Sequence, residues 1–309
     1  MKIKFTLISI IFTSLTYAQQ IANSNMESWD NLGLTTEEPT NWNGFKSGTG
    51  GLVSFGSQQV EQSTAIRANA TGMYCARIWS KSTLGVVANG TLTLGQINMG
   101  STTASSALNF NYSKTADTLF SEPISNVPDS AVFWAKYTAG SGQQARIHAI
   151  VHDSFDVHDP IDAASQPHVV ARAELNYAPT GGNWVRFSTP FVYEVQTGQM
   201  PTPQFILMTF ATNKNPGGGA ANDEVLIDDI ELIYNASSVN ELHAAVQLYY
   251  SSVHGLMAKD IPMDTKLSVY SISGQLVKQA EVAQFMGKTL PSGQYILKFE
   301  GKTQKLFIP

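Results

Sequence analysis

Hydrophobic and polar positions alternate with a period of two along most of this chain. In Ala107–Tyr112, Leu108, Phe110 and Tyr112 share one face of an extended segment, and Asn109 and Asn111 share the other. The same alternation marks Tyr74–Trp79, Thr91–Ile97, Ala131–Tyr137, Arg146–His152, Val169–Tyr177, Trp184–Ser188, Gln204–Ala211 and Glu224–Tyr234. Turn-forming residues bound these segments, as in Gly140-Ser141-Gly142, Pro179-Thr180-Gly181-Gly182 and Asn215-Pro216-Gly217-Gly218-Gly219. No window sustains apolar positions at helical spacing. Some ten short strands separated by turns (about one every 8–12 residues in folds of this type) predict an all-β protein, a jelly-roll-like β-sandwich with a barrel as the alternative closure.

Beyond residue 236 the pattern repeats on a smaller scale. Val246–Tyr250, Leu267–Ile272, Leu276–Lys278, Tyr295–Phe299 and Lys305–Ile308 read as strands, with Ser273-Gly274-Gln275 as a hairpin turn, which predicts a small C-terminal β-sandwich. The polar stretch Asn235-Ala236-Ser237-Ser238 has linker character. At the other end, Lys2 and Lys4 precede an uncharged apolar run, Phe5–Leu15, and Thr16-Tyr17-Ala18 puts small residues before Gln19. That order is a secretory signal peptide, and the run is too short for the roughly 20 apolar residues of a membrane span. The expected organisation is a signal peptide over 1–18, a jelly-roll domain over 19–236 and a second domain over 237–309.

Composition narrows the function classes. The 309 residues are 43% hydrophobic and 14% charged, too apolar and too weakly charged for disorder. Residues 19–236 hold 10 basic and 19 acidic residues, whereas 237–309 hold 7 Lys, no Arg and 5 acidic residues. With a net charge of −5 and no cluster of Lys and Arg, nucleic acid is not an expected partner. The single cysteine, Cys75, excludes an internal disulfide, and its place between Tyr74 and Ala76 in a strand suits a buried small hydrophobe. Nucleophile-elbow, phosphate-loop and dinucleotide motifs are absent.

Two resemblances add to this. Val239-Asn240-Glu241-Leu242, then Leu267–Val277, then Leu290-Pro291-Ser292-Gly293-Gln294-Tyr295-Ile296-Leu297, resemble the C-terminal sorting domain of type IX secretion over the last 70 or so residues. This implies a Bacteroidetes-type cell, transport across the inner and outer membranes by the type IX machinery, and removal of the domain by a sortase, leaving a secreted or cell-surface protein. Asn25-Met26-Glu27-Ser28-Trp29, Glu38-Pro39-Thr40-Asn41-Trp42 and the closing Val225–Leu232 resemble an extracellular carbohydrate-binding jelly roll. With Ala173–Tyr177 leading to Asn183–Phe187, residues 21–234 are similar to the carbohydrate metabolism domain of surface proteins in gut and marine Bacteroidetes. The resemblance implies a glycan, poly- or oligosaccharide, as partner. It rests on strand patterns rather than on catalytic residues.

Candidate chemistry follows from residue types. Glu27 near the first strand and Asp228 and Asp229 on the last are expected to approach each other. Such acids suit a structural Ca²⁺, or else cap strand ends and backbone N–H groups. In His152-Asp153-Ser154-Phe155-Asp156-Val157-His158-Asp159-Pro160-Ile161-Asp162, acids recur every third residue, a period no strand places on one face. This is a solvated acidic loop or a rim that binds sugar hydroxyls or a second cation, with His152, His158 and Asp159 as ligand-binding candidates. Glycoside hydrolysis needs two carboxyls about 5–10 Å apart, one with a raised pKa. Glu174, with Asp153 or Asp156, is the candidate catalytic pair for that alternative. Sugar rings stack on indole, and Trp42 and Trp134 are the candidate platforms, Trp42 the more exposed, whereas Trp184 is expected in the core. The expected function is glycan binding at the cell surface, with a hydrolase and a structural adhesin as alternatives.

Overall fold

The structure is a computed structural model that describes residues 19–83, 85–140, 143–194, 200–234, 248–251, 255–258, 261–272, 274–288, 290–300 and 302–308. Residues 1–18, the stretch 235–238, Val239–Leu242 and the start of the strand expected at 246–250 lie outside them. The chain divides into two compact units, Met1–Asn235 and Ala236–Pro309. No α-helix occurs among the described residues.

The first unit is a jelly-roll-like β-sandwich. A six-stranded sheet runs Glu122–Pro123, Phe205–Ala211, Ala145–His152, Val169–Tyr177, Val192–Tyr193, with Thr91–Thr93 also paired to Phe205–Ala211. A five-stranded sheet runs Val185–Pro190, Ser130–Thr138, Glu224–Ile233, Cys75–Trp79, Val60–Ser63. All these pairings are antiparallel. The period of two does the sorting. Ala145, Ile147, Ala149, Val151, Met208 and Phe210 of one sheet meet Phe133, Ala135, Tyr137, Val225 and Ile227 of the other in one buried cluster. Phe133 and Phe210 touch edge to face across the layers, their centroids 5.2 Å apart.

One irregularity matters for the chemistry below. On the Glu224–Ile233 strand the residues that join the sandwich core are Val225, Ile227, Ile230 and Leu232, so the alternation slips by one residue between Ile227 and Ile230. The register confirms a bulge, with Val132 opposite Glu231 but Trp134 opposite Asp228. Asp229 takes the left-handed conformation there, with φ of 44°.

The second unit is a small β-sandwich. Its four-stranded antiparallel sheet runs Leu276–Glu281, Lys266–Ser271, Gly293–Phe299, Lys302–Ile308, and the hairpin Leu248–Ser251/Gly255–Ala258 supplies further strands. Leu248, Leu256, Leu267, Val269, Phe285 and Leu297 form its core. Gly274, at φ of 84°, makes the tight return after Ser271 that a side-chain-bearing residue would strain.

Candidate functional site

The Ala145–His152 strand buries its odd-numbered residues in the sandwich, which leaves Arg146, His148, Ile150 and His152 on the outer face of the six-stranded sheet. Register then sets neighbours. His148 stands opposite Glu174 on one side and Thr209 on the other, and Thr209 stands opposite Thr93, their hydroxyls 3.0 Å apart. A small sheet of His158–Asp159, Asn109–Tyr112 and Gln96–Met99 brings Asp159 down onto this face.

Asp159 is 2% exposed. Its Oδ1 accepts from His148 Nδ1 at 2.9 Å and from both terminal nitrogens of Arg146 at 3.3 Å. Arg146 Nε donates in turn to Glu174 Oε1 at 2.9 Å. Burial pushes the Asp159 carboxyl up, but His148 and Arg146, by charge and hydrogen bond together, outweigh it and hold the group at about 2. An ionised carboxylate only accepts, so His148 Nδ1 carries the proton. Asp159 Oδ2 and His148 Nε2 are buried with no hydrogen-bond partner. Beside this network lies a cavity of about 230 Å³. Arg146, Asp159, Asn111 and Thr209 line it on the sheet side, and Phe45, Leu52, Phe55, Val87, Met99 and Phe110 wall it elsewhere.

The four regularly spaced acids go four separate ways. Asp153 accepts from His168 Nδ1 at 2.9 Å and Asp156 from the Thr115 amide and hydroxyl at 2.8 and 2.7 Å. Asp162 pairs with His158 at 2.9 Å, and Asp159 is the buried one. The run is therefore not a single rim around one ligand. Each short-range partner captures an acid that spacing alone makes equivalent. His152 is fully buried: Ser113 donates to its Nε2 at 2.7 Å, and its Nδ1 donates to the Asp153 carbonyl at 2.8 Å. Burial pushes its pKa down to about 4. It is a structural lock, not a surface ligand. His158 stacks on Phe110 with centroids 4.0 Å apart. Glu174 is brought to Arg146, and through it to Asp159, instead of to Asp153 or Asp156.

The tryptophans also fall differently from expectation. Trp42 is 1% exposed and packs on Phe210, because its loop turns inward over the sandwich edge, so it offers no sugar platform. Trp134 is half-buried on the opposite face of the unit, with the Arg67 guanidinium 4.7 Å over its ring. Trp184 is half-buried too, its Nε1 donating to the Ala65 carbonyl at 3.2 Å.

Around the bulge, Glu27 Oε1 accepts from the Met73 and Tyr74 amides at 2.9 Å each. Asp229 is ion-paired with Arg67. Asp228 is 1% exposed, its Oδ1 accepting from the Asp229 amide at 2.8 Å and its Oδ2 unpartnered. Burial, then the Asp229 charge, pushes Asp228 up to about 7. The three acids have separate surroundings: backbone amides hold Glu27, a guanidinium holds Asp229, and Asp228 is shut away from solvent. Among the described residues, no three His, Cys, Asp or Glu side chains converge in a way that could hold a metal ion.

Sequence reading missed Arg146 and His148. The signal was a pair of ionisable residues at i and i+2 on one face of an otherwise apolar strand.

No protein-family model matches the chain, and no curated protein matches it in sequence. Solved structures do match its shape. One is a Bacteroides thetaiotaomicron protein provisionally assigned as a glycoside hydrolase, at 19% identity and TM-score 0.52 over 72% of this chain and 72% of that one. Another, from Bacteroides vulgatus and assigned in the same way, aligns at 18% identity and TM-score 0.51 over 68% of this chain and 96% of its own. At these identities the likeness is one of fold. A complex of TmCBM61 with β-1,4-galactotriose aligns at 12% identity and TM-score 0.31, over 69% of this chain and 96% of that one, too weakly to bear on the site.

Proposed function

We propose that the first unit binds the end of a poly- or oligosaccharide in the cavity over the six-stranded sheet, and that the protein works at the cell surface or outside the cell. The observation that carries the reading is the Arg146–Asp159 pair at the cavity. A guanidinium has five N–H groups, three of which are spent on Asp159 and Glu174, which leaves two donors on a side chain that lines the cavity. Such donors suit sugar hydroxyls, and the neighbouring Phe45, Phe55 and Phe110 suit the C–H faces of a sugar ring. The fold likeness to two proteins assigned to glycan chemistry supports the same class.

Binding is favoured over hydrolysis by electrostatics. A glycosidase acid must hold a proton near neutral pH, and Asp159 is held ionised. Glu174 is ion-paired with Arg146. His148 acts here as a positioning residue that fixes the Asp159 carboxylate. Export by signal peptide and type IX sorting domain, with the type IX machinery and sortase as partners, rests on the sequence resemblance. Among the described residues, no helix is long and apolar enough to cross a membrane.

The test is a glycan array probed with the full chain, each hit being assayed for new reducing ends. Saturable binding that is lost in Arg146→Gln, without new reducing ends, is the expected result. New reducing ends lost in Glu174→Gln favour the hydrolase, and silence on every glycan favours an adhesin for a protein partner.

A further inference from the structure

The cavity over the six-stranded sheet is chemically two-sided, and this bears on the class of saccharide it takes. Its polar end is Arg146 with Asp159. Polar side chains such as Asn111 and Thr209 also line it, but most of the remaining wall is apolar, with Phe45, Leu52, Phe55, Val87, Met99 and Phe110 coming from four separate stretches of chain to converge on one space. Phe55 is 48% exposed and the other five are half-buried. Apolar side chains gathered from several loops around one hollow have a cost in water that a ligand removes.

Amides also occur in the wall, and the fold uses the donors of several of them. Gln59 Nε2 donates to the Trp79 and Ala88 carbonyls at 2.9 and 3.1 Å. Asn89 Nδ2 donates to the Asn213 and Asn215 carbonyls at 3.0 and 3.2 Å. Asn109 Nδ2 donates to the Ser101 and Thr103 carbonyls at 3.0 and 2.9 Å. Sugar hydroxyls placed against the apolar part of that wall would lose water without gaining partners, which is unfavourable. Size points the same way. A hollow of roughly 150 Å³ holds one benzene ring, so about 230 Å³ takes a ring-sized apolar group and part of one sugar, not a run of sugars.

Resting on the proposed glycan reading, we infer that the ligand is a saccharide terminus carrying an apolar acyl or aryl substituent. The sugar meets Arg146, which Asp159 holds in place, and the substituent fills the space between Phe45, Phe55, Val87 and Met99.

The test uses the full chain and calorimetric titration with p-nitrophenyl and methyl glycosides of glucose, galactose, mannose, xylose and arabinose, with p-nitrophenol alone as a further probe. For at least one sugar, the p-nitrophenyl glycoside is expected to bind about tenfold tighter than its methyl counterpart, the effect of burying one ring. It is also expected to bind about tenfold tighter than p-nitrophenol, the worth of a polar contact pair. Phe55→Ser, at an exposed position, brings the p-nitrophenyl affinity down to the methyl level, and Met99→Ser does the same from a separate stretch of the wall. Equal binding of aryl and methyl glycosides overturns the apolar substituent and keeps the glycan reading. Binding of p-nitrophenol as tight as that of its glycosides overturns the sugar. Silence across the panel overturns both.

Discussion

The two outer faces of the first unit each carry a buried aspartate beside an arginine–carboxylate pair, and the two acids behave in opposite ways. Over the six-stranded sheet, Asp159 faces His148 and Arg146 and is held ionised, at about 2. Over the five-stranded sheet, Asp228 has Asp229 as its nearest charge, while Arg67 is drawn to Asp229, and the Asp228 pKa rises to about 7. Depth of burial is nearly equal, at 2% and 1% exposure. What differs is how many cations reach each carboxylate. Burial alone therefore does not say whether an acid is a fixed charge that orders a site or a protonated group that tolerates its surroundings.

The largest effect is expected from breaking the first arrangement. Asp159→Ala leaves Arg146 and His148 buried without their common acceptor, and should lower unfolding free energy by about 3–5 kcal/mol in urea titrations. A loss under about 1 kcal/mol would mean that water reaches the pair and that the face is not a preorganised site. Because the folded pKa of Asp159 is depressed, its contribution is present above the unfolded value near 3.8 and fades as pH falls towards 2.

Asp228→Asn should act with the opposite sign. A raised folded pKa means that the folded state holds the proton more tightly, so this group costs increasing stability as pH rises from about 4 to 7. The neutral variant should be more stable than the parent at pH 8, by on the order of 1–2 kcal/mol, and equal to it at pH 4. Parallel stability curves for the two proteins between these pH values would dissolve the contrast with Asp159.

A smaller effect is expected at Arg67. Arg67→Gln removes the cation that pairs with Asp229 and covers Trp134, and should cost about 1 kcal/mol, with a change in tryptophan emission. The smallest effect is predicted for chelator. With Glu27 held by backbone amides and Asp229 by Arg67, EDTA should leave the melting temperature unchanged, and a fall would show that a metal holds the bulge after all.

Local patterning made the fold legible. Period-two alternation in Arg146–His152, Gln204–Ala211 and Glu224–Tyr234 named strands and their buried faces, because side-chain direction along a strand is a property of neighbouring residues. The slip at Asp228-Asp229 is written in the sequence as a shift from Val225 and Ile227 to Ile230 and Leu232. The site was far less legible. Asp153, Asp156, Asp159 and Asp162 are equivalent by spacing, yet only Asp159 is buried against cations, and Trp42 sits in a loop whose composition looks solvent-facing.

The sequence by itself determined that this is an all-β chain whose main part folds as a jelly-roll-like sandwich, and which residues of each long strand point outward. Only the tertiary structure decided which outward residues meet. Arg146 reaches Glu174 through the pairing of two strands and Asp159 through a short edge segment that folds back on the sheet. Those contacts depend on register and loop closure between distant segments, which the period of a single strand does not encode.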